Sequence, residues 1–357
     1  MVKNMYADRE KLYEQLEKEL DSKIITYVTS DRRGFETHIA QDVIDLFTNQ
    51  LDKIGVVKKI SLFLYTRGGD TGAAWNIVNL LKMYCDELEV IIPHKAHSAG
   101  TIISLGANKI IMTKQATLGP IDPSLTTPLN PKISVNGSTI NYPVSVEAVK
   151  GYMEFAKEEI GIKDDGALAE ILLKLSEQVH PLVLGQVYRT RSQIKMLAEK
   201  LLKNQIQNPE EVNKIISFLC SDSGSHDYTI NRREAKEELG LNVCKPTEEQ
   251  YQIIKKLYDD VSCEMGFRDI FDPKTINGAY IVKRGLIESV LGGSDCFVTE
   301  GRCIPVRLQD GQIAYQNEIT FEGWKRDFFA ENTAEGYQAI RKAEGEIFYE
   351  HGEDDDL

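Results

Sequence analysis

No apolar run in this sequence approaches the roughly 20 residues that a bilayer-crossing helix needs, so insertion into a membrane is not expected. The start, Met1-Val-Lys-Asn-Met-Tyr-Ala-Asp-Arg-Glu10, is polar and lacks a signal-peptide core, which points to the cytoplasm. Basic residues are in deficit. The formal charge of −13 argues against nucleic acid as a partner. The six cysteines, Cys85, Cys220, Cys244, Cys263, Cys296 and Cys303, form no CxxC pair and read as reduced thiols. There is no internal repeat and no metal-ligand cluster. His94 and His97 lie close together but lack matching Cys or Asp partners, so no metal and no cofactor are expected. Hydrophobic residues make up 42% of the 357, enough for a globular core with one large and one smaller domain.

What is present is an alternation of strand-like and helix-like segments. Ser22–Thr29, 60–66, 88–92 and Lys109–Met112 read as strands; 39–47, 72–84 and a run from Ala99 read as helices. Such alternation predicts an α/β fold with parallel pairing. Two junctions stand out. A strand runs into Gly68-Gly69, where paired glycines allow otherwise forbidden backbone angles and close approach to a ligand. A second strand, Val90-Ile-Ile92, leads to Ser98 between small residues, and a helical run follows from Ala99. A serine at a strand-to-helix turn presents its hydroxyl, and the backbone N–H groups beside it suit a developing oxyanion. The plain alternative is a serine that only caps a helix. Both junctions lie beyond the carboxyl ends of strands, where open α/β sheets collect ligands.

Strand–Gly-Gly–helix followed by strand–Ser-Ala-Gly–helix resembles the Clp-peptidase and signal-peptide-peptidase-A families, serine peptidases on the crotonase-like α/β fold. The likeness is strongest to the serine dehydrogenase proteinase family. It rests on Leu64-Tyr-Thr-Arg-Gly-Gly-Asp70, Ala96-His-Ser-Ala-Gly-Thr101 and Leu118-Gly-Pro-Ile-Asp-Pro123. A weaker match runs over Asp227–Ala235 with Gly240-Leu241, and the whole covers roughly residues 20–245. The resemblance implies a serine endopeptidase acting on peptides or proteins. Ser98 would be its nucleophile, the N–H groups of Gly69 and Ala99 its oxyanion hole, and a homo-oligomer its assembled form. It does not supply the base. Clp peptidases carry a histidine in the region of 117–124, where this chain offers only Asp122; signal-peptide peptidases use a later lysine, for which Lys132 and Lys150 are candidates on distance.

Among the histidines, His38 and His351 read as surface residues, and His97 should diverge from its neighbour Ser98. His94 sits at a strand end. His180 stands before Pro181, at the mouth of a long helix, either as base or as that helix's cap. His226-Asp227 is a second candidate pair, with Asp227 orienting an imidazole or merely forming an Asx turn. A crotonase-like acyl-CoA enzyme and an inactive binding scaffold of the same fold stay open as alternatives.

The expected organisation is an N-terminal helix (1–22), a peptidase segment (23–245), a small mixed α/β module (246–345) and an acidic tail (346–357). Leu12, Leu16 and Leu20 give the first helix one apolar face, which either packs on the body or contacts another subunit.

Overall fold

The computed structural model describes residues 5–121, 124–135, 138–222, 227–272, 278–307 and 313–326. In chain order the elements begin with α1 (Met5–Leu20), β1 (Lys23–Thr29), α2 (Ile44–Ile54), β2 (Val57–Tyr65), α3 (Thr71–Tyr84), β3 (Cys85–Ile92), β4 (Lys95–Ala96), α4 (Ala99–Leu105), β5 (Lys109–Met112) and β6 (Thr117–Leu118). The middle of the chain holds β7 (Ser124–Leu125), β8 (Lys132–Val135), β9 (Ser138–Asn141), β10 (Val144–Ser145), α5 (Val146–Glu154), α6 (Asp165–Gln178), α7 (Pro181–Leu202) and α8 (Pro209–Ser217). Then follow β11 (Ile230–Asn231), α9 (Arg232–Glu237), β12 (Val243–Cys244), α10 (Glu248–Glu264), β13 (Gly278–Ser289), β14 (Gly293–Arg307) and β15 (Ile313–Arg326). The class is mixed α/β, as the alternation predicts.

The chain divides into two compact units, each discontinuous in sequence. One comprises Met1–Thr37, Leu46–Val57 and Thr247–Leu357; the other comprises His38–Asp45 and Lys58–Pro246.

In the second unit the strands run in the order β12-β5-β3-β2, with β12 parallel to β5 and β5 parallel to β3. The β-branched runs that predict strands are buried throughout: Val90, Ile91 and Ile92 on β3, and Ile110 and Ile111 on β5. A strand covered on both faces has no reason to alternate polar and apolar residues. Helix α4 is buried along its whole length, and α3 and α7 both pack against it. Its end is held by Gln205, whose Nε2 donates to the carbonyls of Ser104 and Leu105 at 3.1 Å each. A small sheet, β11-β6-β4, stands beside it. Within 125–145, β8 and β9 pair as a hairpin, with Val135 opposite Ser138; the joining Asn136-Gly137 lies outside the described residues.

The helix expected over 39–47 starts later. A 3-10 turn covers Gln41–Val43 and α2 begins at Ile44. Ile39 instead bridges to Gly69, because its backbone serves the glycine turn.

In the first unit, β1 joins an antiparallel meander in the order β1-β13-β14-β15. Three of these strands are long, with 12, 15 and 14 residues in β13, β14 and β15. The apolar face of α1 is used within this unit: Leu16 and Leu20 are buried, and α1 packs against α10. Arg9 on α1 is also fully buried. Its Nε and Nη2 grip the Glu288 carboxylate of β13 at 3.0 and 2.7 Å, and its Nη1 reaches Asp260 and Glu264 of α10 at 2.7 and 2.6 Å. Tyr13 OH and Ser294 Oγ donate the remaining bonds to Glu288, at 2.7 and 2.8 Å.

Candidate active site

Two backbone crossings bring the glycine pair and the serine together. Thr66, just past β2, donates its N–H to the Lys95 carbonyl and accepts from the His97 N–H, both at 3.1 Å. This clamps the Gly68-Gly69 turn beside the segment that leads to Ser98. The Ile39 N–H donates to the Gly68 carbonyl, and the Asp70 N–H donates to the Ile39 carbonyl, both at 2.8 Å. The N–H of Gly69 between them takes no acceptor among the described residues. Asp70 then caps α3 by accepting from the Ala73 N–H.

Both glycines are required by geometry. Their φ angles are +115° at Gly68 and +145° at Gly69, a region that side chains rarely enter. A Cβ on Gly68 would lie 2.7 Å from Ser98 Cβ, 2.9 Å from the His97 carbonyl and 3.2 Å from Ser98 Oγ. Gly68 therefore sits directly against the serine side chain. A Cβ on Gly69 would run into the backbone of Ile39.

Ser98 has φ +50° and ψ −112°, outside the ordinary range for an L-residue. One other described residue that is not glycine, Asp21, also has positive φ. The Ser98 side chain makes no capping bond to α4, so the plain N-cap reading fails on geometry. Its Oγ has no hydrogen-bond partner among the described residues, and the residue is partly buried. Ala99 is the first residue of α4, so its N–H is one of those a helix start leaves without an intrahelical acceptor. The structure thus offers a strained serine at a strand-to-helix turn, with a hydroxyl and two backbone N–H groups that no described residue engages.

The turn after β6 is tied to α4. Thr101 Oγ1 donates to the Gly119 carbonyl at 2.7 Å and accepts from the Gly119 N–H at 3.2 Å. His97 Nε2 pairs with Thr117 Oγ1 at 2.9 Å, and its ring packs on Gly119. Its imidazole is thus engaged with β6, consistent with the divergence expected of adjacent side chains. His94 is half-buried, its ring edge-on to Tyr65 at 6.2 Å between centroids.

No hydrogen bond joins Ser98 to another candidate residue among the described residues. His180 is exposed at the start of α7, and its Nδ1 accepts from the Leu182 N–H at 3.2 Å. That bond is the capping role, and in the neutral ring it leaves the proton on Nε2. A base role requires the cap to open or the ring to turn. Asp227 lies in an exposed turn; His226 and Asp122 fall outside the described residues. Lys132 is exposed on β8, and Lys150 pairs with Glu154 at 3.0 Å. Sequence reasoning missed Thr101 and Ile39. The Thr after Ser-Ala-Gly was a signal for the first; Ile39 had none, because it enters through its backbone alone.

Among the described residues, no group of His, Cys, Asp and Glu side chains could hold a metal ion. No described helix is long and apolar enough to cross a membrane.

Comparison with known proteins adds a family. The chain is 34% identical over 203 residues to one uncharacterized protein of Methanocaldococcus jannaschii, covering 56% of this chain and 59% of that one. It is 29% identical over 187 residues to another from the same organism, covering 52% and 51%. It therefore spans only part of the length of these relatives. Among solved structures, similarity is found to a mutant of a membrane-bound stomatin-specific protease, with 18% identity, 67% of this chain and 85% of that chain covered, and a TM-score of 0.36. ClpP1 from Listeria monocytogenes is matched with 15% identity, coverage of 66% and 99%, and a TM-score of 0.35. Residues 1–136, the stretch that holds Gly69, Ser98 and Ala99, match the family of ClpP-like SDH-type serine proteinases.

Proposed function

We propose that this protein is a serine peptidase in which Ser98 Oγ attacks the peptide carbonyl and the N–H groups of Gly69 and Ala99 hold the resulting oxyanion. The observation that carries this reading is the strained backbone of Ser98 with its hydroxyl unengaged against Gly68. Strain of this kind costs about 1–3 kcal/mol, which a simple helix cap has no reason to spend. The chemistry falls in the 23–245 segment, and peptides or proteins in the cytoplasm are the proposed substrates. Incubation with a fluorophosphonate tests it. Attack by Ser98 Oγ displaces fluoride from phosphorus, and intact mass should show one adduct that Ser98→Ala lacks. An acyl-CoA enzyme or an inactive scaffold gives no adduct.

The proton acceptor is proposed to be His180, then His226 oriented by Asp227, then Lys132 or Lys150. Catalytic hydrogen bonds often tighten only when substrate binds, so the cap made by His180 does not remove it as a candidate. His180→Ala is expected to lose most of the rate. Full activity in His180→Ala removes His180 and passes the role to the turn at 226–227.

Gly69→Ala is expected to lower the rate by roughly 10²–10³ through loss of one oxyanion donor. The glycine conformation and the closeness of Ile39 also predict a local backbone shift, so circular dichroism must accompany the assay. A folded alanine variant with the parent rate removes Gly69 from the hole.

A closed homo-oligomer is also proposed. Helix α6 buries no residue within the chain although it carries Leu168, Ile171, Leu172, Leu173 and Leu175, and Leu182 and Tyr188 on α7 are exposed beside it in sequence. Light scattering at the 40.3 kDa mass of one chain, at micromolar concentration, would count against assembly.

A further inference from the structure

We propose that the cleft formed by α9 and the end of β12 binds a compact phosphate-bearing anion. The cleft holds about 220 Å³ and is lined by Arg232, Arg233, Lys236, Glu237, Val243 and Lys245. Four of these six residues are cations and one is an acid, in a chain whose formal charge is −13. Arg232 and Lys236 stand four residues apart on α9, and Arg233 and Lys236 stand three apart, so the helix presents them as neighbours. Like charges at that spacing repel, and an internal carboxylate would normally relieve them. Here Arg233, Lys236 and Lys245 form no ion pair with any described residue. Glu237, the one acid in the lining, likewise forms none among the described residues.

The cleft is built on fixed elements. Arg232 Nη1 donates to the Met112 carbonyl at 3.1 Å, which pins one guanidinium at the carboxyl end of β5. Val243 on β12 supplies an apolar wall, and Lys245 follows the carboxyl end of that strand. Ligands of parallel sheets collect at this end. The small sheet β11-β6-β4 connects the two places, because Arg232 directly follows β11 and Ser98 follows β4 by two residues.

Chemistry selects the ligand. Guanidinium groups match phosphate oxygens in paired geometry, and lysines add point charge. The volume falls below the ~300–1,000 Å³ of sites for drug-sized molecules. A concave site of this size fits pyrophosphate or the phosphate end of a nucleotide, whereas a polymer would call for a stripe of charge.

Titration calorimetry of the full chain at about 0.15 M salt, where surface charges are largely screened, tests this. Inorganic pyrophosphate should bind saturably at one site. Arg233→Ala with Lys236→Ala should weaken it roughly 100-fold, near tenfold for each charge-assisted hydrogen bond removed. Both side chains are exposed, so the fold should survive. Lys203→Ala with Lys214→Ala removes the same charge elsewhere and should leave binding unchanged. Tighter binding of a nucleoside diphosphate than of pyrophosphate assigns the site to a nucleotide; equal binding assigns it to the inorganic anion. The proposal is overturned if no phosphate compound saturates, if the control pair weakens binding equally, or if an oligonucleotide or acidic peptide binds better than pyrophosphate.

Discussion

Ser98→Ala should remove peptide hydrolysis almost completely while leaving the fold intact. Loss of the nucleophile in a serine peptidase costs on the order of 10⁶ in turnover, and what remains comes from the oxyanion hole and binding. The fold should not notice. Ser98 Oγ makes no hydrogen bond among the described residues, so no buried partner is orphaned. Alanine meets the same backbone strain as serine at φ +50°, since each carries a Cβ. Stability should therefore stay within about 0.5 kcal/mol of the parent. That combination separates a reacting group from a structural one. A serine that capped α4 would cost about 1 kcal/mol on removal and leave the rate alone. Hydrolysis of an unstructured protein substrate by purified Ser98→Ala at the parent rate would end the assignment.

Glu288→Ala should produce the largest loss of stability, and none of it through the active site. Arg9 and Glu288 are both fully buried. Burial alone would push the Glu288 carboxyl upward, but the Arg9 guanidinium, with bonds from Tyr13 and Ser294, holds it below its ordinary value. Burial likewise disfavours the Arg9 charge, and Glu288 and Glu264 outweigh it. Removing Glu288 leaves Arg9 Nε and Nη2 buried without their acceptor, although Nη1 keeps Asp260 and Glu264, and a broken buried pair of this kind costs up to about 3–5 kcal/mol. Replacing both at once, as Arg9→Met with Glu288→Leu, should cost less, because the buried guanidinium goes with its carboxylate, Glu264 keeps Lys283 at 2.6 Å and Asp260 is partly exposed.

The sign of the pH dependence follows. A carboxyl whose folded value is depressed contributes stability above its unfolded value, near 4.5, and loses it as pH falls through the folded value. The parent should therefore weaken below about pH 4.5 more steeply than the double variant. Trp324 lies on β15, in the same unit as this pair, and Trp75 lies on α3 in the other. Denaturant unfolding in a Trp75→Phe background, followed by Trp324 emission, reports on the affected unit. A single variant Glu288→Ala as stable as the double would refute the stranded-charge account.

The local grammar of the chain was legible in its residues. β-branched runs marked β3 and β5, and Asn208 and Pro209 stand as cap and first residue of α8. Thr247, with Gln250 three residues on, forms the cap of α10. Each is a short-range matter, decided by sterics and by hydrogen bonds that span a few residues. Gly68-Gly69 and Ser98 were legible for the same reason: a turn that needs glycine, and a small-residue junction between strand and helix, are both written in adjacent positions.

What joins distant positions was decided by the tertiary structure. Arg9 meets Glu288 across 279 residues, and nothing near either residue announces the other, since a buried ion pair reads in sequence as two surface charges. Ile39 supports Gly69 through main-chain atoms, which every residue possesses and no composition reveals. His180 could be read as base or as cap, and its bond to the Leu182 N–H shows the cap while leaving the base to experiment. The sequence by itself determined where the proposed nucleophile and oxyanion donors stand along the chain. Only the tertiary structure placed Gly68 against the Ser98 side chain and set that serine at positive φ, because the packing of two strand ends, and not the residues of either, forces the backbone there.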